Sequence, residues 1–461
     1  MPCPVLSQVQ GVPIQVPAAL KILHVPFGYF PDPIGGTEIY VHGLARGLNA
    51  QGIECLVVAP GATAEVYSYD QVAVRRFPVA TNLDLCALYG EGDAAAAVAF
   101  GRILNTEQPD LVHVHAFTSA VSLRLIRLIK RRGLPVVFTY HTPTVSCQRG
   151  TLLRWGQTIC DGRLDRAVCT ACALHSLGVN KPLSHALGVL PPAVGRGVGR
   201  LGLAGGPWTA LRMSELVALR QTTLRALLAE SDAIVTLCEW TRDLVLRLGV
   251  EPQKVHVSRH GLSNNQLARD GTVPRANQGT LRLVFLGRLD PIKGVDVLIR
   301  AVRKLPEVAL QLDVYGVTQA GGEAYGSHLQ QFAQGDARMR FFPPVSNSAV
   351  QQLLVGYDVL AVPSQCLETG PLVVLEAFAA GVPVLGSRLG GIAELVYDGV
   401  DGLLAEAGDV MAWAAAIRRL ATEPALLAQL RAGVRPPRTL AEVVDDMLRL
   451  YGQLCCSGEF R

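Results

Sequence analysis

From Lys21 onward, short continuously apolar runs alternate with longer stretches of helical spacing. LKILHVPF predicts a strand, and TEIYVHGLARGLNAQG predicts a helix closed by Gly52. IECLVVAP, PDLVHVHAF, LPVVFTYHT and DAIVTLCE follow as further strands at helix-length intervals. A strand that is apolar at every position is buried on both faces, which argues for a parallel sheet covered by helices. The pattern predicts a doubly wound α/β domain over residues 21–262. Within it, RLIRLIKRRG (124–133) reads as an amphipathic helix with a solvated basic face. His113 and His115, in the HVH run, are expected on opposite faces of their strand and so unable to share a metal.

The polar, turn-rich run SNNQLARDGTVPRANQGT (263–280) reads as a linker. The alternation then restarts with LRLVFLGRL, VALQLDVYG, MRFFP, YDVLAVPS and VPVLGS as strands, predicting a second doubly wound domain over 281–430. Residues 431–461 supply a closing amphipathic helix, TLAEVVDDMLRLYGQL, and a tail. Open α/β sheets bind ligands beyond the carboxyl ends of their strands, so two such domains place the chemistry in a cleft between them.

Composition changes this picture little. A chain of 461 residues fits two domains of about 200 residues each, and 49% apolar with 17% charged residues describes a large buried interior. A net charge of +4 carries no nucleic-acid footprint. The N-terminal extension, residues 1–20, holds four prolines and lacks the basic start of a signal peptide. No uncharged apolar stretch reaches the ~18 residues that span a bilayer. A cytoplasmic setting with reduced cysteines is therefore expected.

The candidate chemistry lies at strand ends. In SQCLETGPLVVLEAFAAG, Glu368 precedes a predicted helix and Glu376 lies inside it, eight positions later. Pro371 suits the first turn, and the amides of Gly370, Leu372 and Val373 offer a seat for a phosphate. With a diphosphate there, one glutamate can hydrogen-bond a sugar and the other ribose hydroxyls; a helix cap and a local ion pair are the plainer alternative. FLGRLDPIKGVDVLI places Arg288 at a strand end and Lys293 beside the next helix, two cations suited to a departing diphosphate. The chain contains no D-x-D pair. Gly35 and Gly36, between a strand and a helix, would let backbone amides approach a ligand, or would make an ordinary turn.

These pieces together resemble family 4 of the retaining glycosyltransferases, which have the GT-B fold. The resemblance runs from about residue 21 to 452, through GGTEIYVHGLARGL, PDLVHVHAF, FTYHT, DAIVTLCEWTRDLV, FLGRLDPIKGVDVLI, DVLAVPS, ETGPLVVLEAFAAGVPVLGSRLGGIAELV and DGVDGLL. The E-x7-E pair and the G-R-x4-K-G segment are its most specific elements. It implies that Arg288 and Lys293 hold the diphosphate of a nucleotide-sugar donor, that Glu368 contacts the transferred sugar, and that Glu376 contacts the ribose. Gly35 and Gly36 would approach the donor phosphates, and His141, in FTYHT, would sit near sugar and acceptor. It also implies front-face transfer with retention, no cofactor required for catalysis, and a glycan, lipid-linked or small hydroxyl acceptor in polysaccharide or glycolipid synthesis. Phe342-Pro343-Pro344 departs from the glycine-containing turn many relatives carry near the base pocket. A GT-B epimerase or phosphorylase, and a non-catalytic binding protein, are the rival readings.

An insert, residues 144–210, is expected to be irregular. It carries Cys147, Cys160, Cys169 and Cys172 in the spacing C-x12-C-x8-C-x2-C. Four thiolates would complete a tetrahedral structural zinc site, with His175 a spare ligand; incidental free cysteines are the alternative. Several family members carry a comparable cysteine-bearing segment after this histidine. Downstream, Gly197, Gly199 and Gly202 form a G-x-G-x-x-G without a preceding strand, so the dinucleotide reading fails on context. A mobile, apolar, lightly basic segment is expected there, with peripheral contact to the inner membrane face as its sharper reading.

Overall fold

A computed structural model describes residues 20–32, 35–203, 205–263, 279–318 and 322–456. The expected extension falls outside these residues except for Leu20, and so does most of the 263–280 linker.

Two parallel sheets organise the chain. The first has eight strands in the spatial order Val255–Val257, Ala233–Thr236, Val136–Tyr140, Leu111–Val114, Lys21–Val25, Glu54–Gly61, Val72–Pro78 and Glu65–Tyr69. Only the last pairing is antiparallel. The second has six strands, ordered Met339–Phe342, Leu310–Val317, Leu281–Arg288, Val359–Val362, Val384–Ser387 and Gly402–Ala405, all parallel. In each sheet, the first strand in sequence lies in the interior and the order reverses around it, leaving a crevice at the strand ends. The central strands Leu111–Val114, Val136–Tyr140, Val359–Val362 and Val384–Ser387 are buried throughout, because helices cover both faces.

The C-terminal helix Leu440–Cys456 does not belong to the second sheet. The backbone returns at Leu262, whose amide donates to Arg438 while its carbonyl accepts from Leu440. Val443, Val444, Met447, Leu450 and Tyr451 then join the core formed by Tyr40, Val41, Leu44 and Leu48 of the helix Gly36–Ala50. A Cβ on Gly47 would lie 2.5 Å from Val444 Cγ2, so glycine sets how closely these two helices approach.

The insert corrects an expectation. Instead of an irregular or mobile segment, the chain forms a short hairpin (Leu153–Arg154 with Thr158–Ile159) and then helices Arg166–Ser176, Lys181–Gly188, Pro192–Arg200 and Gly206–Glu230. Pro182 and Pro192 lie in first turns, where a missing N–H costs nothing. Asp165 and Asn180 cap their helices by accepting from Val168 and Leu183. The glycines are paid back in packing. A Cβ on Gly195 would lie 2.7 Å from Glu215 Cβ, and one on Gly188 2.6 Å from the Ala167 carbonyl. The helix Leu123–Lys130 forms where its amphipathic pattern predicts, with Arg127 and Lys130 paired to Glu230 and Asp232.

Candidate active site

The loops at the carboxyl ends of both sheets meet. Thr369 Oγ1 donates to the His141 carbonyl (2.7 Å), and Trp240 Nε1 donates to the Glu368 carbonyl (2.7 Å). Glu394 accepts from the amides of Glu239 (2.8 Å) and Trp240 (2.9 Å), the first turn of helix Glu239–Arg247, and pairs with Arg259 at 3.2 Å. A carboxylate at a helix N-terminus meets free N–H groups and the positive end of the dipole, so Glu394, from the helix Gly390–Leu395 that follows a strand of the second sheet, caps a helix of the first.

On the second sheet's side, Arg288 ends the strand Leu281–Arg288, and Asp290 accepts from the Ile292 amide to form the tight turn carrying Lys293. Gly294 closes that turn at φ +70°, and a Cβ there would fall 2.0 Å from the Pro363 carbonyl. The turn is thereby pressed against the end of the Val359–Val362 strand, with the Gln365 amide donating to Ile292. This seating brings Lys293 Nζ within 2.5 Å of Glu368 Oε1, which also accepts from Ser364 Oγ at 2.9 Å. Burial works against the Glu368 charge, but the Lys293 ammonium, its hydrogen bond, Ser364 and Arg288 outweigh it and hold the carboxyl below its usual range.

Gly370 takes φ +132°, and Pro371 caps the helix Leu372–Ala379. The Leu372 and Val373 amides are in its first turn, where the helix itself offers no acceptor. Gly391 donates to the Glu368 carbonyl at 2.7 Å, and a Cβ there would lie 2.7 Å from that oxygen, so the first turn of helix Gly390–Leu395 stacks on the Glu368 loop. The carboxyl group of Glu376, inside the helix, makes no hydrogen bond or ion pair among the described residues, and burial pushes it up to about 7.

On the first sheet's side, Gly35 precedes the helix Gly36–Ala50, and its amide donates to Glu38 Oε2 at 2.8 Å. A Cβ on Gly36 would meet nothing within 4 Å. His141 follows the strand Val136–Tyr140 and is buried. Its Nε2 lies 3.1 Å from His115 Nδ1, and His115 Nε2 lies 3.1 Å from His24 Nδ1. Burial holds all three rings well below the ordinary histidine range, so the chain is neutral. Its far end, His24 Nε2, is buried with no hydrogen-bond partner among the described residues. A proton there would be an orphaned N–H, which is scarcer in folded proteins than an unfilled lone pair. With that nitrogen bare, His24 Nδ1–H donates to His115 and His115 Nδ1–H donates to His141 Nε2. His141 is left with its proton on Nδ1, as a hydrogen-bond donor.

His113 and His115 require a second correction. Their ring centroids are 4.0 Å apart, since residues two apart on a strand share a face. With His24 on the neighbouring strand, their ligating atoms lie within 4.8 Å of one another, the one such group found among the described residues. Both His113 nitrogens are engaged, with Tyr451 Oη and Thr139 Oγ1, each at 2.6 Å. The cluster is a hydrogen-bonded core network. His260, just beyond the strand Val255–Val257, stacks edgewise with Tyr40 beside His141.

Of the predicted residues, Lys293 and Glu368 touch directly, Arg288 acts on the same carboxylate, and His141 is joined to the Glu368 loop through Thr369. Glu376 stands apart from that cluster, and the four cysteines line a separate cavity. Ser364, Thr369, Trp240 and Glu394 were not singled out from the sequence. Ser364 and Thr369 flank Glu368 in a strand-end loop, which was the available signal. The partners of Trp240 and Glu394 are more than a hundred residues away.

Residues 280–423 match the family model described as glycosyl transferases group 1, and residues 35–261 match the glycosyl transferase 4-like domain. A curated relative, D-inositol 3-phosphate glycosyltransferase of Rhodococcus jostii (strain RHA1), is 33% identical over 228 residues, covering 47% of this chain and 50% of its own. The chain thus spans about half the length of the curated relatives it matches. Among solved structures, sucrose-phosphate synthase of Thermosynechococcus elongatus has a TM-score of 0.65 at 18% identity, covering 94% of this chain and 99% of its own. Anabaena HepE, solved with UDP and glucose, has a TM-score of 0.62 at 15% identity over 94% and 100% of the two chains. These similarities establish the GT-B architecture of two Rossmann-like sheets.

Proposed function

Given that the chain belongs to the glycosyltransferases, with a 4-like domain ahead of a group 1 domain, we propose that it moves a sugar from a nucleotide-diphosphate donor to an acceptor hydroxyl with retention of configuration. The observation that carries this reading is the Lys293–Glu368 pair, held by Ser364 at 2.9 Å beside the first turn of helix Leu372–Ala379.

The helix amides and the cations Arg288 and Lys293 would receive the donor diphosphate, with Gly35 and Gly36 approaching from the other side. As the sugar–phosphate bond breaks, negative charge grows on the leaving oxygen, and preorganised cations stabilise that charge more than the ground state. Glu368, kept ionised by Lys293, would accept a hydrogen bond from a sugar hydroxyl. Glu376 would hold the ribose. His141, as an Nδ1–H donor, would orient a sugar or acceptor oxygen rather than remove its proton, and the leaving phosphate would take the acceptor proton. Orientation and electrostatics then supply most of the rate.

The proposal includes a cytoplasmic setting and peripheral contact with the inner membrane face. Leu177, Leu183, Val189 and Leu201 are exposed on the insert beside Lys181, Arg196 and Arg200, a mixture of apolar and basic groups that suits an anionic lipid surface. No helix among the described residues is long and apolar enough to cross a membrane.

The test is nucleotide release from a donor panel led by UDP-glucose, with and without hydroxyl acceptors that include an inositol phosphate. Acceptor-dependent release matched by glycosylated product supports the reading. Lys293→Ala and Glu368→Gln are each expected to lower kcat/KM by about 10²–10³. Acceptor-independent turnover to an epimer, or full activity in both variants, would overturn it.

A further inference from the structure

Between His141 and the long helix Gly206–Glu230 lies a second cluster of chemistry that the transfer site does not use. Cys147 ends the turn after His141, its amide donating to the Pro143 carbonyl at 2.9 Å. The hairpin follows, with Leu153 paired to Ile159, and the Cys160 amide donates to the Leu152 carbonyl at 2.8 Å. Cys160 therefore sits at the open end of the hairpin, and Cys147 lies in the segment that leads into it. Asp165 then caps the helix Arg166–Ser176 by accepting from Val168, placing Cys169 and Cys172 three residues apart on one helical face.

Hairpin and helix are separate elements, yet all four cysteines line one cavity of about 220 Å³. None is in a disulfide. The Trp155 amide donates to Cys172 Sγ at 3.3 Å, the arrangement by which sulfur ligands are oriented from outside the coordination sphere. Trp155 and Gly156 reach it only by taking φ +58° and +74°. Arg149, Arg154 and Arg163 also line the cavity, against Asp161 and Asp165. A divalent ion with four thiolates carries a net charge of −2, of which this excess of one positive charge offsets half.

We propose that Cys147, Cys160, Cys169 and Cys172 form a tetrathiolate site for zinc or another soft divalent cation. The four sulfurs stand around the cavity wall, and no three of them lie mutually within 4.8 Å as the core histidines do. Binding draws them inward, forms four metal–sulfur bonds and releases the thiol protons to solvent, with no change of oxidation state. The ion clasps hairpin to helix and fixes the strap that leaves His141, where Tyr140 Oη also bonds Ser146 Oγ at 2.6 Å. Its role is structural and does not depend on which donor the enzyme takes.

The experiment uses the full chain, purified reduced and anaerobically, with Zn²⁺ and Co²⁺ as the probes. About one zinc per chain is expected, together with a Co²⁺ titration that saturates near one equivalent with the visible absorption of tetrahedral thiolate coordination. Cys169→Ser and Cys172→Ser should lose the metal, while Cys456→Ser should keep it. Should the serine variants fail to fold, the wild-type Co²⁺ spectrum decides alone. A reduced wild-type chain that takes up neither metal, a Cys169→Ser variant that keeps full zinc content, or a folded metal-free chain with the four cysteines as disulfides would overturn the proposal.

Discussion

At the scale of single residues, the two glutamates of the E-x7-E pair have opposite acidities for reasons their spacing does not contain. Glu368 is held ionised by Lys293 and Ser364, whereas Glu376 is raised to about 7 by burial alone. A carboxyl raised on folding favours the folded state while protonated. Its contribution is fully present below the unfolded value, near 4.5, and is lost as the pH rises to about 7. Glu376→Gln should therefore stabilise the ligand-free enzyme at pH 8 by at most about 3 kcal/mol, and hardly at all at pH 4.5. Thermal melts at the two pH values check this, and equal shifts at both would refute it. Under the proposed donor role, the same variant should bind nucleotide-sugar more weakly. The histidine chain makes a second prediction. His24→Leu removes the donor that keeps His115 Nε2 an acceptor, so His141 should become a tautomer mixture in ¹⁵N spectra. A fall of roughly tenfold in kcat/KM is expected, the cost of about one hydrogen bond.

At the scale of elements, the turn carrying Lys293 depends on close backbone approach as much as on charge. Gly294→Ala meets both a left-handed φ and the Pro363 carbonyl, whereas Gly52→Ala meets the left-handed φ alone, with open space around its Cβ. The second should cost about 1–2 kcal/mol. The first should cost clearly more and also lower kcat/KM, because Lys293 is displaced from Glu368; denaturant midpoints and initial rates separate the two effects. Strands were legible because burial on both faces leaves an unbroken apolar run, as in LVHV and VLAV. The insert helices were not. The prolines and glycines of Lys181–Gly188 and Pro192–Arg200 read as breakers, and they fit helices here because Pro182 and Pro192 lie in first turns and Gly188 and Gly195 pack against neighbouring helices.

At the scale of the whole molecule, Glu394 joins the two halves by capping helix Glu239–Arg247 and pairing with Arg259. Glu394→Ala should loosen this junction. A larger radius of gyration by small-angle scattering for the free enzyme is expected, with a smaller difference once donor is bound; an unchanged radius in the free state would count against the capping contact as a latch. The return of Leu440–Cys456 to the first sheet's core likewise couples the halves, since Val443, Val444, Met447, Leu450 and Tyr451 complete that core from beyond the second sheet. The repeated strand and helix periods, the two-sheet architecture, and the residue types at the strand ends were determined by local sequence, because each follows from burial and from backbone preferences within a few residues. Which groups meet was decided by tertiary structure alone: Lys293 with Glu368, Glu394 with a helix in the other half, three histidines in a row, four cysteines around one cavity. Contacts between residues tens to hundreds of positions apart depend on how loops are seated against one another, and no local pattern encodes that seating.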